Sequence, residues 1–134
     1  MRTVLLVLEY DGAAFRGWQR QRGSRTVQEE VERAFEAATG ERPAVHGSGR
    51  TDTGTNAFAQ HAHAVTGTRL PDERLRAALN AHLPPDVVVR EARTVPEGFH
   101  ARFSVRRKSY LYRVVVRPVR IGRASCRERV YGLV

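Results

Sequence analysis

Thr3 to Tyr10 reads Thr-Val-Leu-Leu-Val-Leu-Glu-Tyr, a β-rich and nearly unbroken apolar run that Asp11-Gly12 ends. A run apolar on both faces predicts a central strand of a sheet. The rest of the chain narrows the kind of sheet. Thr26-Val-Gln-Glu29 has the form of a capping box, and Val27, Val31, Ala34, Phe35 and Ala38 then recur at helical spacing until Gly40. Pro43 to His46 and Ala57 to Val65 read as strands on either side of a glycine-flanked loop. Pro71-Asp72 opens a second helix, with Leu75, Ala78, Leu79 and Leu83 on one face and Pro84-Pro85 as its end. Val87 to Arg90 is a further strand, and Ser109 to Val116 a last one, alternating through Tyr110, Tyr112, Val114 and Val116. The order β-α-β-β-α-β plus one strand predicts an α+β, ferredoxin-like split β-α-β antiparallel sheet with both helices on one face. The open face of such a sheet is where many RNA-binding modules lay their ligand.

Charge suggests the partner. The chain of 134 residues, one domain's worth, has a formal net charge of +9, and all but one (Lys108) of its 23 basic residues are arginine. A surplus of this size favours a polyanion, most often nucleic acid, and arginine adds a fork that fits phosphates and a flat face that stacks on bases. No stretch is long and apolar enough to cross a membrane, and no secretory signal opens the chain. The single cysteine, Cys126, excludes an intrachain disulfide and a cysteine zinc site. The expected location is the cytoplasm.

The loop between the two middle strands is the chemical centre. Residues 46 to 57 contain Gly49-Arg-Thr-Asp-Thr-Gly54, which sets Arg50 and Asp52 two residues apart among glycines that let the backbone bend tightly and approach a ligand. By local chemistry alone, this is equally a turn whose Asp and Thr cap their own backbone. Arg50 is placed to pair with Asp52, to contact a phosphate, or simply to be solvated. Phe15, Trp18, Gln19, Arg20 and Gln21 either meet bases or bury Trp18 beneath their loop. His61 and His63 share a strand face and are read as ordinary strand histidines, too few for a metal site.

Four segments together resemble one family, the tRNA pseudouridine synthase A family. They are Tyr10-Asp-Gly-Ala-Ala-Phe-Arg-Gly-Trp-Gln-Arg-Gln21, Thr26-Val-Gln-Glu29, Gly49-Arg-Thr-Asp-Thr-Gly54, and Phe99-His-Ala-Arg-Phe-Ser104 with Lys108-Ser-Tyr-Leu-Tyr112. The resemblance implies isomerisation of uridine to pseudouridine in the anticodon stem-loop of tRNA, without cofactor or metal. It implies Asp52 as the catalytic carboxylate, Tyr110 as the ring against the target uracil, and Arg50 as a substrate-binding residue. It also implies a second domain, missing here, that completes the pocket and makes the contacts of a homodimer, so that the 134-residue chain alone is expected to be inactive. One departure is specific: after the aspartate the family usually reads Ala-Gly-Val-His-Ala, and this chain has Thr53-Gly54-Thr55-Asn56-Ala57.

From Ile121 the pattern breaks into Ile-Gly-Arg-Ala-Ser-Cys-Arg-Glu-Arg-Val, which looks like the in-frame translation of a sequencing-library adapter. Residues 1–120 are therefore expected to be the domain, and 121–134 a non-native tail, poorly ordered or arbitrarily placed. The rival class is a non-catalytic RNA-binding module of ferredoxin-like fold. An RNA-recognition motif would need its aromatic signature on a central strand, and no strand reads that way.

Overall fold

The computed structural model describes residues 1–101 in full and the backbone of two later strands; residues 102–106, 115–125 and 134 lie outside the description, as do the side chains beyond residue 101. The strands are β1 (Arg2–Tyr10), β2 (His46–Gly47), β3 (Asn56–Thr66), β4 (Val87–Val95), β5 (Arg107–Val114) and β6 (Cys126–Leu133); the helices are α1 (Val27–Thr39) and α2 (Asp72–His82). Through β4 the sheet runs β4-β1-β3-β2, with every neighbouring pair antiparallel. This is the split β-α-β arrangement that the element order predicts: β1 and β2 are parallel strands with β3 between them.

Each helix forms for a local reason. The Thr26 hydroxyl accepts the N–H of Glu29 at 3.4 Å, and Gly40 stops α1 in the left-handed region at φ 79°. Only half of the expected capping box is made, because the Glu29 carboxylate accepts instead from Arg33, 3.1 Å away and one turn on. The capping position of α2 is Pro71, and Asp72 in the first turn accepts from the N–H and hydroxyl of Thr94 in β4. The inner face of the sheet carries Val4, Leu6, Leu8 and Tyr10 of β1 with Ala62, Ala64, Val87 and Val89. These bury against Val31, Ala34 and Phe35 of α1 and Leu75 and Leu79 of α2. Burying a side chain of this size contributes about 1.5–3 kcal/mol, so this layer is the main source of stability.

One expectation changes. The outer face is not open throughout: Leu5, His61 and His63 are buried there, and the Phe99 ring meets His63 edge-on at 6.4 Å. Cys126–Leu133, within the segment read as a tail, is placed as β6, parallel to β3 and antiparallel to β5. The expected strand end at Val116 lies outside the described residues. No helix among the described residues is long and apolar enough to cross a membrane.

Candidate active site

Two loops far apart in sequence are laced together beneath Asp52. β1 ends at Tyr10, and Asp11 caps a short 3-10 turn by accepting the N–H of Ala13 at 3.0 Å. The chain then crosses under residues 51–56 and is bound to them by hydrogen bonds. The Trp18 N–H donates to the Thr51 carbonyl at 3.1 Å, and the Gly54 N–H to the Phe15 carbonyl at 3.2 Å. The Gly12 N–H donates to Asn56 Oδ1 at 2.8 Å, and the Tyr10 and Thr51 hydroxyls meet at 2.8 Å in a buried site. Asn56, one of the departures from the family pattern, thus ties the two loops together.

The crossing is close enough to exclude side chains. A Cβ on Gly12 would lie 1.9 Å from the Thr55 carbonyl oxygen. One on Gly17 would lie 2.4 Å from the Thr51 oxygen, and Gly17 also sits at φ 79°. These glycines allow main chain to touch main chain. Phe15 and Trp18, each 1% exposed, fill the core under the crossing. The aromatic loop therefore resolves toward burial of Trp18.

Above this base a backbone hydrogen bond closes the Asp52 turn, the Thr55 N–H donating to the Asp52 carbonyl at 3.0 Å. The carboxylate is exposed and accepts no hydrogen bond among the described residues, so Asp52 does not cap its own backbone. Arg50 is also exposed, and no ion pair joins it to Asp52 among the described residues. The expected pairing in the empty site is not made. Both side chains are exposed, on a backbone held by the hydrogen bonds of the crossing.

The loop's entry is pinned from the other side. The Ser48 N–H donates to the His61 carbonyl at 2.7 Å, and the buried Gln60 amide donates to the Gly49 carbonyl at 2.6 Å. A cavity of about 580 Å³ opens beside this entry, with Arg20, His46, Arg50 and His100 in its wall. Asp52 is not part of that wall. Tyr110 lies in β5, where backbone register puts it opposite Val130, which in turn faces Ala57 of β3. Its side chain is outside the described residues.

Sequence reasoning missed a gathering of imidazoles. His46 and His63 are cross-strand partners and stack at 5.0 Å, and His100 comes within 4.4 Å of His63. The available signal was the strand register that pairs positions 46 and 63. No group of three His, Cys, Asp or Glu among the described residues is arranged to hold a metal. His63 Nδ1 accepts the N–H of Ala101 at 3.0 Å. Burial, with His100 and His46 close by, pulls the His63 pKa down from 6.5 to about 4.

This sets a direction for stability. Between about pH 6.5 and about pH 4 the unfolded imidazole binds a proton that the folded one refuses, so the unfolded state is favoured as pH falls through that window. His61, shifted down by burial, acts in the same sense. The urea midpoint is expected to be lower at about pH 4.5 than at about pH 7.5, and His63→Gln should flatten that fall. A midpoint unchanged between the two pH values would remove the buried neutral imidazole.

Tyr10→Phe tests the lacing. It removes one buried hydrogen-bonding hydroxyl under Asp52 and is expected to cost about 1 kcal/mol in urea unfolding. An unchanged stability would mean that the Tyr10–Thr51 bond contributes nothing to the base of the loop.

Comparison with known proteins matches this arrangement to one group. The family model described as tRNA pseudouridine synthase matches residues 6–104, from β1 through the Asp52 loop to the segment after β4. The tRNA pseudouridine synthase A of Thermoanaerobacter sp. (strain X514) is 46% identical over 117 residues, which cover 87% of this chain and 48% of that protein. That of Anoxybacillus flavithermus is 50% identical over 115 residues, covering 85% and 47%. That of Maricaulis maris is 49% identical over 118 residues, covering 87% and 47%. The chain thus spans about half the length of the curated relatives it matches. With the matched region enclosing both laced loops and the helices that carry them, the chain belongs to the tRNA pseudouridine synthase family.

Proposed function

We propose that this chain is the part of a tRNA pseudouridine synthase that carries the catalytic carboxylate. The observation that supports this most is Asp52 itself: an exposed carboxylate without internal partners among the described residues, on a turn laced to the floor of the domain. In the reaction, the bond from ribose C1′ to uracil N1 breaks, the base turns, and C5 bonds to C1′. The C5 proton then leaves and N1 ends protonated, so substrate and product are isomers and no cofactor is consumed. Asp52 acts beside the sugar as nucleophile or base. Arg50 binds the substrate backbone, and Tyr110 lies against the target uracil. The substrate is the anticodon stem-loop of tRNA, and the full-length enzyme is a homodimer whose second domain completes the pocket. The domain ends near residue 120, with 121–134 a non-native tail; the matched stretches of 115 to 118 residues are in keeping with that limit.

The test uses the full-length protein and tRNA carrying tritium at uracil C5, because the reaction expels that hydrogen. Tritium release is expected from wild type. Tyr110→Ala should lower the release rate more than tRNA affinity, since one stacking contact is a small part of an interface dominated by phosphates. Arg50→Ala should weaken both. Binding without any tritium release would instead support the non-catalytic RNA-binding module.

A further inference from the structure

We propose that Arg20 is a phosphate-binding residue held in place by the buried Glu32, and that with Arg50 and His46 it seats an RNA backbone phosphate in the cavity beside the Asp52 loop. The inference rests on the reading that this chain handles tRNA, and it adds a contact that the family motifs do not assign.

The geometry starts on α1, where Gln28 and Glu32 stand one turn apart and are buried. Glu32 is fully enclosed, and both of its oxygens are used. Oε1 accepts from Arg20 Nη1 at 2.5 Å, and Oε2 accepts the Val45 N–H at 3.0 Å. Gln28 repeats the pattern, accepting the Arg20 N–H at 2.7 Å and donating to the Val45 carbonyl at 2.9 Å. The two side chains therefore grip Arg20 by backbone and guanidinium, and Val45 by both of its peptide groups. Arg20 and the residues just after Val45 line the same cavity. Through Gln28 and Glu32, α1 thus holds both of these parts of the lining.

A fully buried carboxylate is costly unless its charge is met. Here the cation that meets it has a side chain 52% exposed. A surface arginine ordinarily gives up much of its freedom to bind anything. Arg20 has already given it up, and one committed Nη1 leaves other donors of a five-donor fork for a ligand. Arg50, at the other end of the wall, makes no ion pair among the described residues. The lining carries two guanidiniums and two imidazoles, and no carboxylate among the described residues. Forks and imidazoles suit a phosphate. Trp18, the large aromatic in this wall, is 1% exposed and offers no face to a stacked base.

The experiment is a salt titration of the 134-residue chain with a fluorescent tRNA stem-loop, read by anisotropy, alongside thermal melts that check folding. Arg20→Gln should weaken binding by about three- to tenfold near 0.1 M salt and lower the slope of log K against log salt by about one. Arg20→Lys should keep the slope and lose affinity, because it retains the charge without the fork. Glu32→Gln gives the sharpest sign. It deletes a negative charge close to the RNA site, so simple electrostatics would tighten binding, whereas a positioning role predicts weaker binding, by about threefold or more. Should Glu32→Gln fail to fold, the two Arg20 variants decide. Wild-type binding with an unchanged slope in Arg20→Gln, or tighter binding by folded Glu32→Gln, overturns the phosphate seat and leaves the family reading intact. No RNA binding by wild type would overturn the phosphate seat, and tritium release by the full-length protein then judges the proposed function separately.

Discussion

Replacing Asp52 by asparagine in the full-length protein is expected to lower pseudouridine formation by roughly a thousandfold or more, with tRNA affinity changed by less than about threefold. The substitution keeps the shape of the side chain and removes its ability to act as nucleophile or base. It should also leave the fold alone, since the carboxylate is exposed and holds nothing together among the described residues. Surface changes of this kind usually shift stability by about 0.5 kcal/mol or less. Tritium release and a urea melt on the same preparation therefore separate chemistry from folding. Measurable turnover by the asparagine variant would sink the assignment.

The second large effect is expected at Gly17, and Gly54 provides its control. Both sit at nearly the same backbone angle, φ 79° and 80°. A Cβ on Gly54 meets nothing within 4 Å, whereas one on Gly17 would lie 2.4 Å from the Thr51 oxygen. Gly54→Ala should cost about 1–2 kcal/mol, the ordinary cost of placing an L side chain in that region. Gly17→Ala adds overpacking against a backbone that cannot yield and should cost about 2–4 kcal/mol in all. In the full-length enzyme it should also slow isomerisation, because the displaced atom belongs to the residue before Asp52. Equal losses for the two variants would mean that the loops do not touch as closely as described.

The helices were legible because their signals are local: a hydroxyl cap, apolar residues three and four apart, and a glycine stop. The strands were less so, for separable reasons. Pro43 to His46 reads as a strand, yet the strand is only His46–Gly47, because Val45 spends its N–H and carbonyl on Glu32 and Gln28. Nothing in the local sequence shows that a helix will supply those partners. Val87 to Arg90 was expected to stop early, yet β4 continues to Val95 through the polar stretch Arg90-Glu-Ala-Arg-Thr94. Much of that stretch is exposed, so hydrogen bonding to β1, rather than burial, carries it. At the candidate site, the glycine-flanked motif draws the eye to Asp52 and Arg50, but it does not show what lies under them. The Gly12 and Gly17 contacts and the grip on Val45 join residues far apart in the chain, and periodicity does not register such pairs.

β3 gives the same edge to two neighbours. His63 and Ala62 are matched by β2, and a few residues away Asn56, Ala57 and Ala59 align with Arg129, Val130 and Tyr131 of β6. The second position is filled through main-chain groups, which are common to every residue except proline. It selects for an extended segment of the right length and is nearly indifferent to what that segment spells. A strand docked at such a seam can therefore be rewritten in sequence while the main chain of β3 that receives it stays as it is.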